Sequence, residues 1–150
     1  MTVALTTPLG LWLHAKQFAD AARAVRGGGE NHILLPAYYL LGHSIELSLK
    51  AFLLGRGVPL TKLKSKTFGH DIKALLTESR NHRLGSEVKL DPREIGVIIL
   101  LNHDYVAKRF EYRETGTYHL PYDWLTQNIA DKLVKGLKRF CERVTLEKHI

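Results

Sequence analysis

Residues 107 to 124, AKRFEYRETGTYHLPYDW, interleave the cations Lys108, Arg109 and Arg113 with the rings of Phe110, Tyr112, Tyr118, Tyr122 and Trp124. Cationic side chains hold phosphates and aromatic faces stack on unpaired bases, which makes Lys108, Arg109, Tyr112 and Tyr118 candidate contacts for single-stranded RNA. The same composition fits an ordinary connection whose aromatics close the end of a bundle, and at least half of these rings are assigned to that role. The segment also contains Arg113 and His119, six positions apart. Metal-free RNA cleavage needs a group titrating near neutrality, to move the 2′-hydroxyl or leaving-group proton, and a cation to stabilise the crowded phosphorane. Histidine and arginine suit those tasks.

A second constellation lies in an apolar stretch. His43, Glu46 and Lys50 share one helix face, while Tyr38, Tyr39, Leu40, Leu41, Ile45, Leu47, Leu49 and Phe52 cover the rest. Charged groups on such a helix must be paired or reach water, and Glu46 four residues before Lys50 is the favourable order for an intrahelical pair. These three residues are read as a structural polar group. Two His-Asp pairs follow, His70-Asp71 and His103-Asp104. His43, His70, Asp71 and Asp131 can be lined up as ligands of the type used by the all-α, metal-dependent HD phosphohydrolases. However, Gly69 and the preceding lysines put His70 at a helix entrance rather than inside an apolar helix. There His70 and Asp71 are read as helix-start residues, with Asp71 suited to the electropositive first turn, and no metal ligand is assigned.

The elements that must position these groups are helices. Thr7-Pro8 reads as N-cap and first residue of a helix whose apolar positions Leu11, Ala15, Phe18, Ala22 and Val25 run to Gly27. A long central helix is expected to begin between Ile33 and Pro36 and to end before Gly57, followed by a loop carrying Lys62, Lys64 and Lys66. Ile72, Leu75 and Leu76 mark a shorter helix ending between Asn81 and Gly85. Asp91-Pro92-Arg93-Glu94 is a capping box opening a fourth helix through Ile95, Ile98, Ile99, Asn102, Tyr105 and Val106. After Pro121, Leu125, Ile129, Leu133, Leu137, Phe140 and Val144 form the apolar stripe of a fifth, opposite the basic face of Lys132, Lys135, Arg139 and Arg143. With no β-hairpin or βαβ pattern, the predicted fold is all-α, an up-down bundle of four to five helices.

At 150 residues, with 45% hydrophobic and 25% charged content, the chain suits a single helical domain over residues 1–150. The net charge of +7 favours anionic partners, of which RNA is one. The lone Cys141, an amino terminus without the marks of a signal peptide, and the absence of any apolar run near 20 residues make the expected setting cytoplasmic, with no membrane partner. No P-loop, dinucleotide fingerprint, nucleophile elbow or zinc spacing occurs, so no cofactor is assigned.

Glu46, Lys50 and Ala51, then Gly57, then Gly69, His70 and Asp71 with Leu75 and Leu76, resemble the core of the HEPN domains, small and often dimeric helical modules associated with RNA and nucleotides. The resemblance covers about residues 35 to 140. It implies a HEPN-like fold and a homodimer that binds RNA or nucleotides, in a toxin–antitoxin or stress setting. Arg113 and His119 match the R-x(4–6)-H motif of the catalytic members, metal-independent endoribonucleases, and would be the catalytic pair. Arg26/His32 and Arg143/His149 show the same spacing, but only Arg113/His119 stands near the start of a late helix, where the family places its motif. Gly116 inside the motif and Glu114 after the arginine depart from that pattern. Arg109-Phe110, Arg113 to Gly116 and Pro121 are closer to HEPN-like relatives, and the alternative implied is a non-catalytic interaction module partnering itself, a nucleotidyltransferase or an antitoxin.

Overall fold

The computed structural model describes residues 5–27, 35–110 and 117–147, and within them every regular element is helical. In chain order these are α1 (Pro8–Gly27), α2 (Leu35–Gly55), α3 (Leu60–Leu63), α4 (Ile72–Asn81), α5 (Pro92–Val106) and α6 (Asp123–Glu147), with a 3-10 turn at Leu84–Ser86. Five are the helices expected from the sequence. The sixth, α3, is a single turn inside what reads as a lysine loop, formed because Leu63 is pulled fully into the core while Lys62 and Lys64 stay outside.

Helix α2 packs against α1, α4, α5 and α6, which is why it is apolar almost all round. Its fully buried Leu41, Ile45, Leu49 and Phe52 meet Ile98 and Leu101 of α5 and Ile129, Leu133, Leu137 and Phe140 of α6 in one core. Helices α1 and α6 close the opposite side. The Trp12 indole N–H donates to the carbonyl of Val134 at 2.7 Å and the Gln127 amide to that of Ala19 at 3.1 Å, so buried polar groups fix the register of the pair.

The local signals act as their chemistry requires. The Thr7 hydroxyl accepts from the Gly10 N–H at 2.9 Å, and Asp91 and Glu94 form the reciprocal capping box. Two apolar stripes differ from expectation. In α1 the buried face is Pro8, Trp12, Ala15, Ala19 and Ala22, while Val25 is exposed; the small alanines let the backbone of α1 approach α2 closely enough for the Ser44 hydroxyl to reach the Ala15 carbonyl at 2.7 Å. In α5, Ile99 and Val106 are exposed, because the helix is turned so that Ile98, Leu101, Asn102 and Tyr105 face inward.

The end of α5 is a Schellman turn. The N–H of Lys108 donates to the carbonyl of Tyr105 and that of Arg109 to the carbonyl of Asp104, both at 3.0 Å, with Lys108 left-handed at φ 59°. Glycine normally holds that position, and a lysine there costs about 1 kcal/mol. Lys108→Gly is therefore expected to raise the melting temperature by about 3 °C in a thermal scan. An unchanged or lower value would mean that the lysine side chain offsets the backbone cost.

Candidate functional site

The last turn of α5 carries four consecutive polar residues, Asn102, His103, Asp104 and Tyr105. Successive residues on a helix point about 100° apart, so the four fan out in different directions and meet different elements. The Asn102 carboxamide accepts from the Ile72 N–H at 2.9 Å and donates to Asp71 Oδ1 at 3.0 Å, tying α5 to the start of α4. Asp71 is the N-cap of α4, accepting from the Ala74 N–H at 3.2 Å.

Tyr105 points inward to Glu46, which is only 1% exposed. Glu46 Oε1 accepts from the Tyr105 hydroxyl at 2.7 Å and from His70 Nδ1–H at 2.9 Å, and Oε2 accepts from the Lys50 ammonium at 2.9 Å. Since the tyrosine proton is directed at the carboxylate, His43 Nδ1–H donates to the tyrosine oxygen, at 3.1 Å. Of the structural group expected from His43, Glu46 and Lys50, Glu46 and Lys50 pair directly, while His43 bridges no part of that pair and is hydrogen-bonded toward Glu46 through the Tyr105 hydroxyl. Tyr105 and His70 complete the group. Burial alone would push the Glu46 carboxyl up, but the Lys50 charge and the hydrogen bonds from Tyr105, Lys50 and His70 together hold it below the ordinary glutamate value. Gly42 is required opposite, because a Cβ there would lie 2.4 Å from Tyr105 Cδ1. His70 stands at the start of α4 as expected, but its ring serves Glu46 and leaves the capping to Asp71.

Asp104 points the other way, toward the segment that follows α5. Its side chain is fully buried and ion-paired with Arg109. Oδ1 accepts from the Arg109 guanidinium at 2.7 Å and from His103 Nδ1–H at 3.2 Å, while Oδ2 accepts from the backbone N–H of His119 at 2.7 Å. Desolvation would raise the Asp104 carboxyl, but the His119 N–H, Arg109 and His103 outweigh it and hold it below the ordinary aspartate value. The Schellman turn swings Arg109 back over the helix end, where it also donates to the Thr117 carbonyl at 2.7 Å and lies over the Tyr118 ring at 4.5 Å. Clamping 104, 109, 117 and 119 in this way brings the exposed rings of His103 and His119 edge to face, with centroids 4.5 Å apart.

Several candidates from the sequence are accounted for by this arrangement. Arg113 and Tyr112 lie outside the described residues. His119 lies at the surface beside His103, a partner that sequence spacing did not suggest. Lys108 is exposed at the Schellman turn, whereas Arg109 and Tyr118 are engaged within the protein, Tyr118 stacking on Phe110 and Phe110 on Tyr38. Of the remaining rings, Tyr122 and Trp124 stack on each other at the surface, 72% and 52% exposed. The four residues of the metal reading are not brought together. Asp131 is bonded to Arg23 and Gln127 between α1 and α6, while Asp71 caps α4 and the two histidines sit at Glu46. Among the described residues no group of three or more His, Cys, Asp or Glu is placed to hold a metal ion. Burial pushes the Cys141 thiol up to about 12, which keeps it protonated at neutral pH.

Basic surface is also present away from these clusters. A cleft of about 350 Å³ lined by Arg80, Val88 and Lys89 adjoins one of about 450 Å³ lined by Val88, Lys89, Lys132 and Lys135. Lys132 is paired with Glu94 at 2.7 Å and Arg143 with Glu87 at 3.3 Å, so the basic face of α6 is partly neutralised.

The fold and the two clusters define an all-α helical bundle with a buried glutamate centre and a surface histidine pair. Compared with models of protein families, with curated proteins and with solved structures, the chain gives no match. No helix among the described residues is long and apolar enough to cross a membrane.

Proposed function

We propose that this protein is a HEPN-like helical module that acts as a homodimer on single-stranded RNA and cleaves it without a metal, with His119 transferring a proton. The observation that supports this reading is the exposed His119 ring, set beside His103 by the buried Asp104 carboxylate and Arg109. A histidine supplies the titrating group that such cleavage needs, and Arg113, by the motif spacing, the cation for the phosphorane. The clefts lined by Arg80, Lys89, Lys132 and Lys135 give an RNA backbone further cations to follow. Ile99, Leu100 and Val106 leave one side of α5 apolar and exposed, which suits a second copy in a two-fold dimer.

The test is incubation with single-stranded RNA at low salt in EDTA. Cleavage leaving 2′,3′-cyclic phosphate ends is expected, along with affinity that falls with salt by a log-log slope of about −0.7 per phosphate contact. His119→Ala should still bind RNA and lose cleavage, and full cleavage by that variant would remove this site from consideration. A second reading, an interaction module partnering itself or a nucleotidyltransferase, is favoured by the exposed Tyr122–Trp124 stack. It takes over if the wild-type protein neither binds nor cuts RNA. Light scattering showing a monomer at high micromolar concentration would remove the dimer from either reading.

A further inference from the structure

We infer that His103 is a second catalytic residue, the general base that works with His119 as general acid, so that the reacting phosphodiester lies across the two rings at the end of α5. The inference rests on the ribonuclease reading above and deepens it. The chain marks His103 only as half of a His-Asp pair, with no link to His119, which stands sixteen residues later and outside α5. Its assignment comes from three features of the structure.

The first is proximity. The two imidazoles are edge to face with centroids 4.5 Å apart, and both rings are open to the same stretch of surface. The second is orientation. Asp104 Oδ1 accepts a hydrogen bond from His103 Nδ1–H, which fixes the tautomer and leaves Nε2 as the nitrogen with the lone pair. The third is rigidity. Asp104 also holds the backbone N–H of His119, and Arg109 anchors the same carboxylate, so a single buried group sets the position of both histidines. Among the described residues, the charged groups bonded into the pair's setting are Asp104 from α5 and Arg109 from the turn that follows it.

The step balances without a co-reactant. His103 Nε2 takes the proton of the ribose 2′-hydroxyl, whose oxygen forms a new bond to phosphorus. The bond between phosphorus and the 5′-oxygen breaks, and protonated His119 delivers its proton to that leaving oxygen. The products are a 2′,3′-cyclic phosphate and a free 5′-hydroxyl.

The inference predicts a bell-shaped pH dependence of cleavage in EDTA, its rising limb set by the general base and its falling limb by the general acid. His103→Gln and His103→Asn should each lower kcat about 100- to 10,000-fold and abolish the rising limb. The asparagine amide can still donate to Asp104, so a merely structural histidine would be rescued by His103→Asn and a catalytic one would not. Affinity for an RNA carrying a 2′-deoxy sugar at the cleavage position should stay within about threefold in both variants, since ground-state binding is unaffected. Both are expected to fold, because His103 is exposed. Cleavage within about tenfold of wild type by either variant, with both limbs intact, would overturn the role of His103 and leave the ribonuclease reading standing. Absence of cleavage by the wild-type protein would overturn both.

Discussion

Glu46→Gln is expected to lower the melting temperature by roughly 10 °C, corresponding to a loss of about 3 kcal/mol, although the substitution conserves shape. The wild-type carboxylate is almost fully buried and receives Tyr105 and His70 on one oxygen and Lys50 on the other. A carboxamide can keep its oxygen toward Tyr105 and His70, but its NH2 then faces the Lys50 ammonium, and two donors confront each other. Lys50, itself largely buried, is left without a counter-charge. Because the Glu46 carboxyl is held below its ordinary value when folded, it contributes stability above the unfolded value of about 4.3 and loses that contribution as pH falls below it. Acid unfolding of the wild-type protein should therefore steepen below about pH 4.3, and the variant should show a shallower acid limb. Calorimetric scans across pH would read both effects, and an unchanged melting temperature at pH 7 would mean that the cluster carries no net stability.

The second large effect is expected from Asp104→Asn. An asparagine offers one carbonyl oxygen where the aspartate uses two, so either Arg109 and His103 or the backbone N–H of His119 must lose its acceptor. An unsatisfied donor of this kind costs about 2 kcal/mol, or roughly 6 °C in melting temperature. On the proposed reading the catalytic loss is larger, about 100-fold or more in kcat, since the one group that orients His103 and seats His119 is altered. Arg109→Lys would separate the two effects. It keeps a cation beside Asp104 while giving up the guanidinium over Tyr118, and should cost stability without removing the histidine pair. Full RNA cleavage by Asp104→Asn would show that neither histidine depends on the carboxylate.

The exposed side of α5 bears on how these sites work in solution. Ile99, Leu100 and Val106 flank His103 at helical spacing, so a second copy packed squarely on this face would cover His103, and on the proposed reading the two-fold contact must leave that ring open to RNA. A composite groove between protomers would then carry two reaction centres, and a substitution such as Leu100→Glu would weaken dimer and activity together.

The sequence by itself determined the helical class, most helix ends and the Glu46–Lys50 pair. These depend on groups within one turn of each other: a capping hydroxyl or carboxylate three residues before the N–H it accepts, a proline at a first position, a glutamate four residues before a lysine. Such contacts are set by local backbone geometry, and spacing along the chain records them. Only the tertiary structure decided that Glu46 also takes Tyr105, 59 residues away, and His70, 24 residues away, and that Asp104 seats His119 beside His103. Those pairings follow from how far α5 is rotated against α2 and from the left-handed Lys108 that turns the chain back over the helix end. Packing of whole elements sets both. The small residues Ala19 and Gly42 that help permit the close packing show little in an apolar pattern, and so the identity of the partners across elements was not legible until the helices were in place.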